Sequence, residues 1–450
     1  MKILLVSPTH YNRDGSLLKT TRYWTSGLTL PYLKALTPPG HSVDMVDELF
    51  HEVDLGTDAD VVGLTAMGPQ IGRAYDLADA FRARGKKVVL GGTWVTLSPD
   101  DALVHADAVV AGEAELVWAS VLEDLAAGRS RGVYRASEWH SLESLPQIDY
   151  RSLPLLKYDA WRTSWMYRQY FHWPLVFSRG CPHPCEYCAV QTFYRRSFRT
   201  RPLDDVLADV EAIRSLGGDR LLFLDDNPIA NPDKAKELFR ALIPYRVKWA
   251  SQSTINIARD PELLDLAARS GCVTLSIGLE SVNEESLETI RKGFNQRKRF
   301  EKDLRALRDR GIQVIALIMV GLDGDDLGTF DRTLRFLIEN RVGFLKLFTP
   351  CPYPGTKYYE DMKAQGRILT DDIRRYDYGS ALVQPLQFSA EEMLAGFQRA
   401  YREFYSVRSI ARRLLPPPRR AWLETAGYAV MNFKANRFLR RSPEAWGTIQ

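Results

Sequence analysis

Short apolar runs alternate with longer stretches of helical periodicity along most of this chain. Within residues 1–130, the runs at 2–7, 61–65, 87–90 and 108–110 have the length and continuity of buried parallel strands. Residues 71–84 and 115–127 carry apolar positions at helical spacing. This alternation predicts a doubly wound, Rossmann-like α/β sheet, whose ligands sit beyond the carboxyl ends of the strands. Each strand there runs into a loop signal: Ser7-Pro8, Met67-Gly68 after Thr65, Gly91-Gly92, and Gly112-Glu113. Glycines at such ends let a ligand approach the backbone closely. No GxGxxG follows the first strand, which argues against a dinucleotide.

A linker over 131–172, with Pro146, Pro154 and an aromatic stretch reaching 173, leads to a second zone. Over 173–356 the alternation resumes, with candidate strands at 174–178, 220–224, 247–251, 273–277, 312–320 and 343–348. Helical patterns fill the gaps at 203–215, 232–243, 260–269, 298–310 and 326–339. Six β/α units predict a partial (β/α)6 barrel with its chemistry at the carboxyl ends of the strands. Polar groups stand at those ends: Asp225, Asp226 and Asn227, then Gln252 and Ser253, then Glu280. Residues 357–450 form a third, helical zone rich in arginine and aromatics.

Composition narrows the class. The chain has 450 residues, 45% hydrophobic and 26% charged, which suits a globular protein of two or three domains. A net charge of +4 is small for this length and predicts no nucleic-acid partner. No stretch reaches the roughly 20 apolar residues that a membrane span needs. The N-terminal apolar run is too short for a signal peptide, so a cytoplasmic location is expected. In a reducing compartment the cysteines would be thiols or metal ligands.

Three of the five cysteines fall in "FSRGCPHPCEYCAV", as Cys181-x3-Cys185-x2-Cys188. An odd cluster cannot close into disulfides among itself. Three thiolates on one loop suit an iron–sulfur cluster in which one iron lacks a protein ligand. Zinc is the rival, with His183 as a fourth ligand inside the loop. Cys272 and Cys351 lie far away in sequence and read as core residues.

With these residues in view, the chain resembles the radical S-adenosylmethionine (SAM) superfamily. Its CxxxCxxC loop binds a 4Fe–4S cluster, and SAM chelates the open iron. The likeness extends through "FLDDNPIANPDKAKEL", "KWASQSTINIARDPELL", "SGCVTLSIGLES" and "YPGTKYY". It implies that Cys181, Cys185 and Cys188 hold the cluster and that Tyr187 contacts adenine. Asp225, Asp226 and Asn227 stand where the family usually writes Gly-Gly-Glu for the SAM amino group; a cap for the helix beginning at Pro232 is the alternative reading. Gln252 and Ser253 would approach ribose or carboxylate, and Glu280 lies in the fourth-strand motif.

The first zone resembles the cobalamin-binding domain that precedes the barrel in one large subgroup, through "ADVVGLTAM" and "VVLGGTWVTLSPDDALVHADAVVAGEAE". The implied cobalamin contacts are Ser7, Thr65, Met67, Gly91, Gly92, Trp94, Gly112 and Glu113. The cobalt-ligating Asp-x-His-x-x-Gly signature is absent, as is usual in the subgroup. Trp94 replaces a common histidine, and its indole would block the corrin, stack on it, or belong to the interdomain core. The resemblance implies one-electron reduction of the cluster by a donor such as flavodoxin or ferredoxin. SAM cleavage then gives a 5′-deoxyadenosyl radical, which abstracts hydrogen from an unactivated carbon of a small molecule, whether natural product, sugar or lipid. Cobalamin-dependent C-methylation is the favoured outcome. The alternatives are cobalamin-independent dehydration of a diol, as in aminoglycoside-type antibiotic biosynthesis by a lyase, then epimerisation or ring formation, and remotely a non-catalytic metal-cluster sensor.

Overall fold

The computed structural model describes residues 1–20, 25–153, 171–416 and 422–441. Pro154 and most of the aromatic stretch before 173 lie outside the described residues, as do 442–450 of the basic tail.

The first sheet is parallel throughout. Strands β1 (Lys2–Ser7), β2 (Ser42–Asp47), β3 (Val61–Thr65), β4 (Lys87–Gly91), β5 (Ala108–Val110) and β6 (Gly132–Tyr134) stand in the order β2-β1-β3-β4-β5-β6. The continuous apolar runs have a simple cause, because each strand feeds two cores. Leu4, Val6, Val62, Leu64, Val88 and Leu90 pack on one face with the helix Ile71–Arg82. Ile3, Leu5, Val61, Val89 and Val110 pack on the other with Trp118, Val121 and Leu122. Complete burial of each such side chain contributes about 1.5–3 kcal/mol. Two strands escaped the apolar-run criterion. β2 alternates with aspartates, and β6 has three residues; both are sheet edges that need only one buried face. The sheet therefore continues past the boundary at 130.

β7 (Trp173–Leu175) opens the second sheet. β8 (Ser178–Gly180) and β9 (Phe198–Thr200) then form a separate antiparallel pair. The apolar run at 174–178 is thus two strands, because the chain leaves the sheet at Val176. β10 (Arg220–Phe223), β11 (Lys248–Ser253), β12 (Cys272–Glu280), β13 (Gln313–Met319) and β14 (Phe344–Phe348) complete six parallel strands in the order β14-β13-β12-β11-β10-β7. This is an open barrel. Helices Leu203–Ser215, Pro232–Leu242, Pro261–Arg269, Phe300–Asp309 and Gly328–Glu339 cover its outer face. Two of them start where proline follows a capping side chain: Asn231 accepts from the Lys234 N–H, and Asp260 from the Leu263 N–H.

The C-terminal helices seal the open barrel at two places. At the end of the helix Ala390–Phe404, the Tyr401 and Tyr405 hydroxyls accept from the Leu347 and Leu345 N–H groups of edge strand β14, at 2.8 and 3.2 Å. An unpaired edge is thereby occupied by side chains. The helix Trp422–Arg441 brings Glu424 to Arg220 and Lys248, at the amino ends of β10 and β11. Among the described residues no helix is long and apolar enough to cross a membrane.

Candidate functional site

The cysteine loop hangs from the β8–β9 pair, with Gly180 opposite Phe198. Gly180 has φ of +86°, and a Cβ there would lie 2.1 Å from the Ser197 carbonyl oxygen, so only glycine fits. The end of β10 holds the loop's first limb. Asp225 accepts from the Phe177 N–H at 3.1 Å and from the Ser178 N–H and hydroxyl. Asp226 accepts from the Gly180 N–H at 3.0 Å. Burial raises both carboxyls, to about 7 for Asp225 and about 6 for Asp226, against the donors that favour the charged form.

Cys185 is buried, and Cys181 and Cys188 are partly so. Burial pushes all three thiols up, Cys185 to about 12, while nearby Lys292 pulls the other way. Asn227 Nδ2 faces Cys181 Sγ at 3.8 Å, and its Oδ1 is buried without a partner. His183 stacks on Phe294, with ring centroids 4.1 Å apart. Among the described residues no three His, Cys, Asp or Glu side chains converge as ligands of a single ion. The fit of a cluster rests instead on what surrounds the thiols: a buried cation, an amide donor at Cys181, and an orphaned acceptor beside it. Those features suit anionic sulfurs carrying a metal cluster and a bound ammonium.

Tyr187 donates to Glu280 Oε1 at 2.9 Å, and Lys292 donates to both the tyrosine oxygen, at 3.2 Å, and Glu280. Glu280 occupies the left-handed region, φ 61°, at a bulge between β12 and β13. Gln252 is exposed on β11, whereas Ser253 is buried and donates to the Thr254 carbonyl. Cys272 and Cys351 sit in the two main cores. Lys292 and Phe294 escaped the sequence reading because they lie in a loop with no motif spacing.

A cavity of about 450 Å³ lies elsewhere, at the carboxyl ends of β1, β2 and β3. β1 pairs with β2 on one side and β3 on the other, so this is the switch point where doubly wound sheets bind ligands. Ser7, Thr65 and Met67 line it, together with His10, Lys19 and Asp47. Its volume takes a drug-sized ligand or one part of a larger one. Burial lowers His10 and lifts Asp47 to about 6, so the imidazole is neutral near pH 7. His10, three residues beyond the end of β1, was findable by the strand-end rule. Phe438, which also borders the cavity, comes from the last helix and had no local signal.

The other expected cobalamin contacts do not line this cavity, and the reasons are physical. Trp94 begins the short helix Thr93–Leu97 and is 3% exposed, packed against Tyr376 at 5.0 Å and Tyr353 at 5.6 Å. It neither plugs nor floors the cavity. Gly91 ends β4, and a Cβ on Gly92, at φ +106°, would lie 2.5 Å from the Ala66 carbonyl oxygen, so glycine serves strand packing there. Gly112 and Glu113 border a separate space of about 70 Å³. Glu113 is 8% exposed and bound by Arg179 at 2.9 Å and Arg199 at 2.8 Å, with Glu115 on the other arm of Arg179 at 2.8 Å. Arg179 stands two residues before Cys181, so this charge cluster ties the first sheet to the cysteine loop.

Comparison with known proteins agrees with this geometry. The family model of the radical SAM superfamily matches residues 175–337, and that of the B12 binding domain matches 32–122. The bacteriochlorophyllide d C-12(1)-methyltransferase of Chlorobaculum tepidum is 31% identical over 86% of this chain and 82% of its own. The structure of TsrM, a radical S-adenosylmethionine methyltransferase from Kitasatospora setae, with tryptophan substrate and a SAM analog, superposes with a TM-score of 0.69 at 16% identity, covering 99% of both chains. OxsB, a cobalamin-dependent S-adenosylmethionine radical enzyme with aqua-cobalamin and SAM bound, gives 0.67 at 13% identity, covering 98% of this chain and 72% of its own. The two structures share the fold. With a thiol loop on an open barrel behind a sheet with a switch-point cavity, the chain belongs to the radical SAM superfamily, among members that carry a B12-binding domain.

Proposed function

We propose that the protein is a cobalamin-dependent radical SAM enzyme that methylates an unactivated carbon of a small molecule. The observation that carries this reading is the cavity at the β1/β3 switch point, clear of Trp94, in the same chain as the cysteine loop. An indole filling that cavity would exclude cobalamin, and Trp94 packs on Tyr353 and Tyr376 instead. The C-methylating relative in Chlorobaculum tepidum supports the same outcome.

When bound, the 4Fe–4S cluster and SAM supply a hydrogen-abstracting radical, and cobalamin supplies the methyl carrier. The chain's own residues do the rest. Cys181, Cys185 and Cys188 would hold the cluster. The orphaned Asn227 Oδ1 and the part-exposed Asp226 would accept from the SAM ammonium. Asp225 is saturated by the β8 limb and acts as its anchor. The Tyr187–Glu280–Lys292 group would border adenine, with Gln252 toward ribose or carboxylate. Ser7, Thr65, Met67 and His10 would face cobalamin. Within this reading the units are 1–134, 173–356 and 357–450, joined by the linker before 173.

The test is product analysis on anaerobic, reconstituted protein with methyl-deuterated SAM. Methyl transfer predicts corrinoid-dependent S-adenosylhomocysteine, alongside 5′-deoxyadenosine and methionine. SAM cleavage with no S-adenosylhomocysteine, at any corrinoid level, would move the enzyme to a cobalamin-independent reaction.

A further inference from the structure

We propose that Lys346 is a substrate-binding residue that holds a carboxylate or phosphate group inside the open barrel. Lys346 lies in β14 and pairs with Leu317 of β13, which pairs with Gly278 of β12. Two residues back on β12, Ser276 pairs with Gln252 of β11. Paired residues of parallel strands share a face, so Lys346, Ser276 and Gln252 project from the same side. The opposite side is the packed one: Leu275, Ile318, Leu345 and Leu347 are 1–5% exposed, within the core that contains the outer helices. Lys346 therefore faces the inside of the barrel. It stands two residues from the carboxyl end of its strand, as Gln252 stands one residue from the end of β11.

Among the described residues the charge there is uncompensated. Elsewhere in the second sheet Arg220 and Lys248 meet Glu424, and Glu280 meets Lys292. No hydrogen bond or ion pair joins Lys346 to another described residue, and burial alone acts on its amine, lowering its pKa. Lys346 is partly buried, and an amine that sheds water without a partner gains no Coulombic return for it. An incoming anion supplies the return. Gln252 and Ser276 add neutral donors on the same face. Hydrogen-atom abstraction and methyl transfer call for no proton acceptor at the substrate, which leaves the amine to bind charge. The identity of the anion as substrate rests on the proposed function; the anion site does not.

The experiment is differential acetylation of the full-length reconstituted protein with an acetyl ester reagent, read at Lys346 by peptide mass spectrometry. The probes are propionate, inorganic phosphate and pyrophosphate, with propionamide as neutral control and SAM alone as a separate arm. At saturating probe, acetylation of Lys346 should slow at least about threefold with one of the anions and not with propionamide. Lys346→Met should keep iron content, SAM affinity and melting temperature, because the amine makes no hydrogen bond or ion pair with the described residues. Equal labelling with anions and propionamide, no labelling at all, or loss of iron or thermal stability in Lys346→Met would each overturn the proposal. Protection by SAM alone would also do so, by giving the amine to the SAM carboxylate. Anion protection without corrinoid-dependent S-adenosylhomocysteine would leave the site standing and sink methyl transfer; the converse result would do the reverse.

Discussion

Asn227 shows how far single residues can be read. Its place after the second barrel strand marked it as a SAM contact, but the same reasoning gave Asp225 and Asp226 equal standing. Only the fold separates them: Asp225 is consumed by Phe177 and Ser178, while Asn227 Oδ1 is buried and unpartnered. Asn227→Ala or Asp226→Ala should weaken SAM binding by about one to two orders of magnitude, as loss of a charge-assisted bond of roughly 1.5–3 kcal/mol. Asp225→Ala should mainly lower thermal stability. Calorimetric SAM titration beside scanning calorimetry checks both; the reverse order of effects would contradict the assignment. The three thiols stood out by their spacing, and the fold sets Lys292 and Asn227 beside them. Alanine at Cys181, Cys185 or Cys188 should abolish cluster assembly, measured as iron content, and Cys272→Ala should not. Trp94 left ligand and core readings open, since a sequence cannot say which way an indole after a strand end turns; it packs in the core.

At the scale of elements, the apolar runs and helical periods gave the strand order of neither sheet but placed most strands and five outer helices. The misses were edges and junctions: β2 alternates with aspartates, β6 is an edge of three residues, and β7 breaks into β8 where Asp225 pulls the chain out of the sheet. The β8–β9 pair depends on Gly180. Gly180→Ala should cut both iron incorporation and melting temperature, because its Cβ would collide with Ser197 backbone in a left-handed conformation. The Glu113–Arg179–Arg199 cluster gives a pH dependence. Burial raises the Glu113 carboxyl, but the two guanidiniums outweigh it and the net shift is downward from 4.5. A depressed folded pKa gives stability that is present above the unfolded value and lost as pH falls through the folded one. The wild type should therefore lose stability below about pH 4.5 more steeply than Glu113→Gln, which starts lower at neutral pH by about 3–5 kcal/mol. Parallel pH profiles of the two melting temperatures would contradict the clamp.

The whole molecule joins two ligand sites in one chain: a switch-point cavity in the first sheet, and a thiol loop on the open barrel, with Arg179 bridging from Glu113 to the residue pair before Cys181. The fold class was legible in outline, and the strand-end rule marked Ser7, Thr65 and Met67, which line the cavity. The cavity's other walls were not, because Asp47 and Phe438 reach it from β2 and the last helix, and no local pattern records that meeting. The most direct test is metal analysis of protein purified without oxygen from cells supplied with cobalamin, paired with its visible spectrum. The account predicts about four irons and one cobalt per chain, with a broad iron–sulfur shoulder and corrin bands together. Iron at that level with no cobalt, even after incubation with excess hydroxocobalamin, would contradict it.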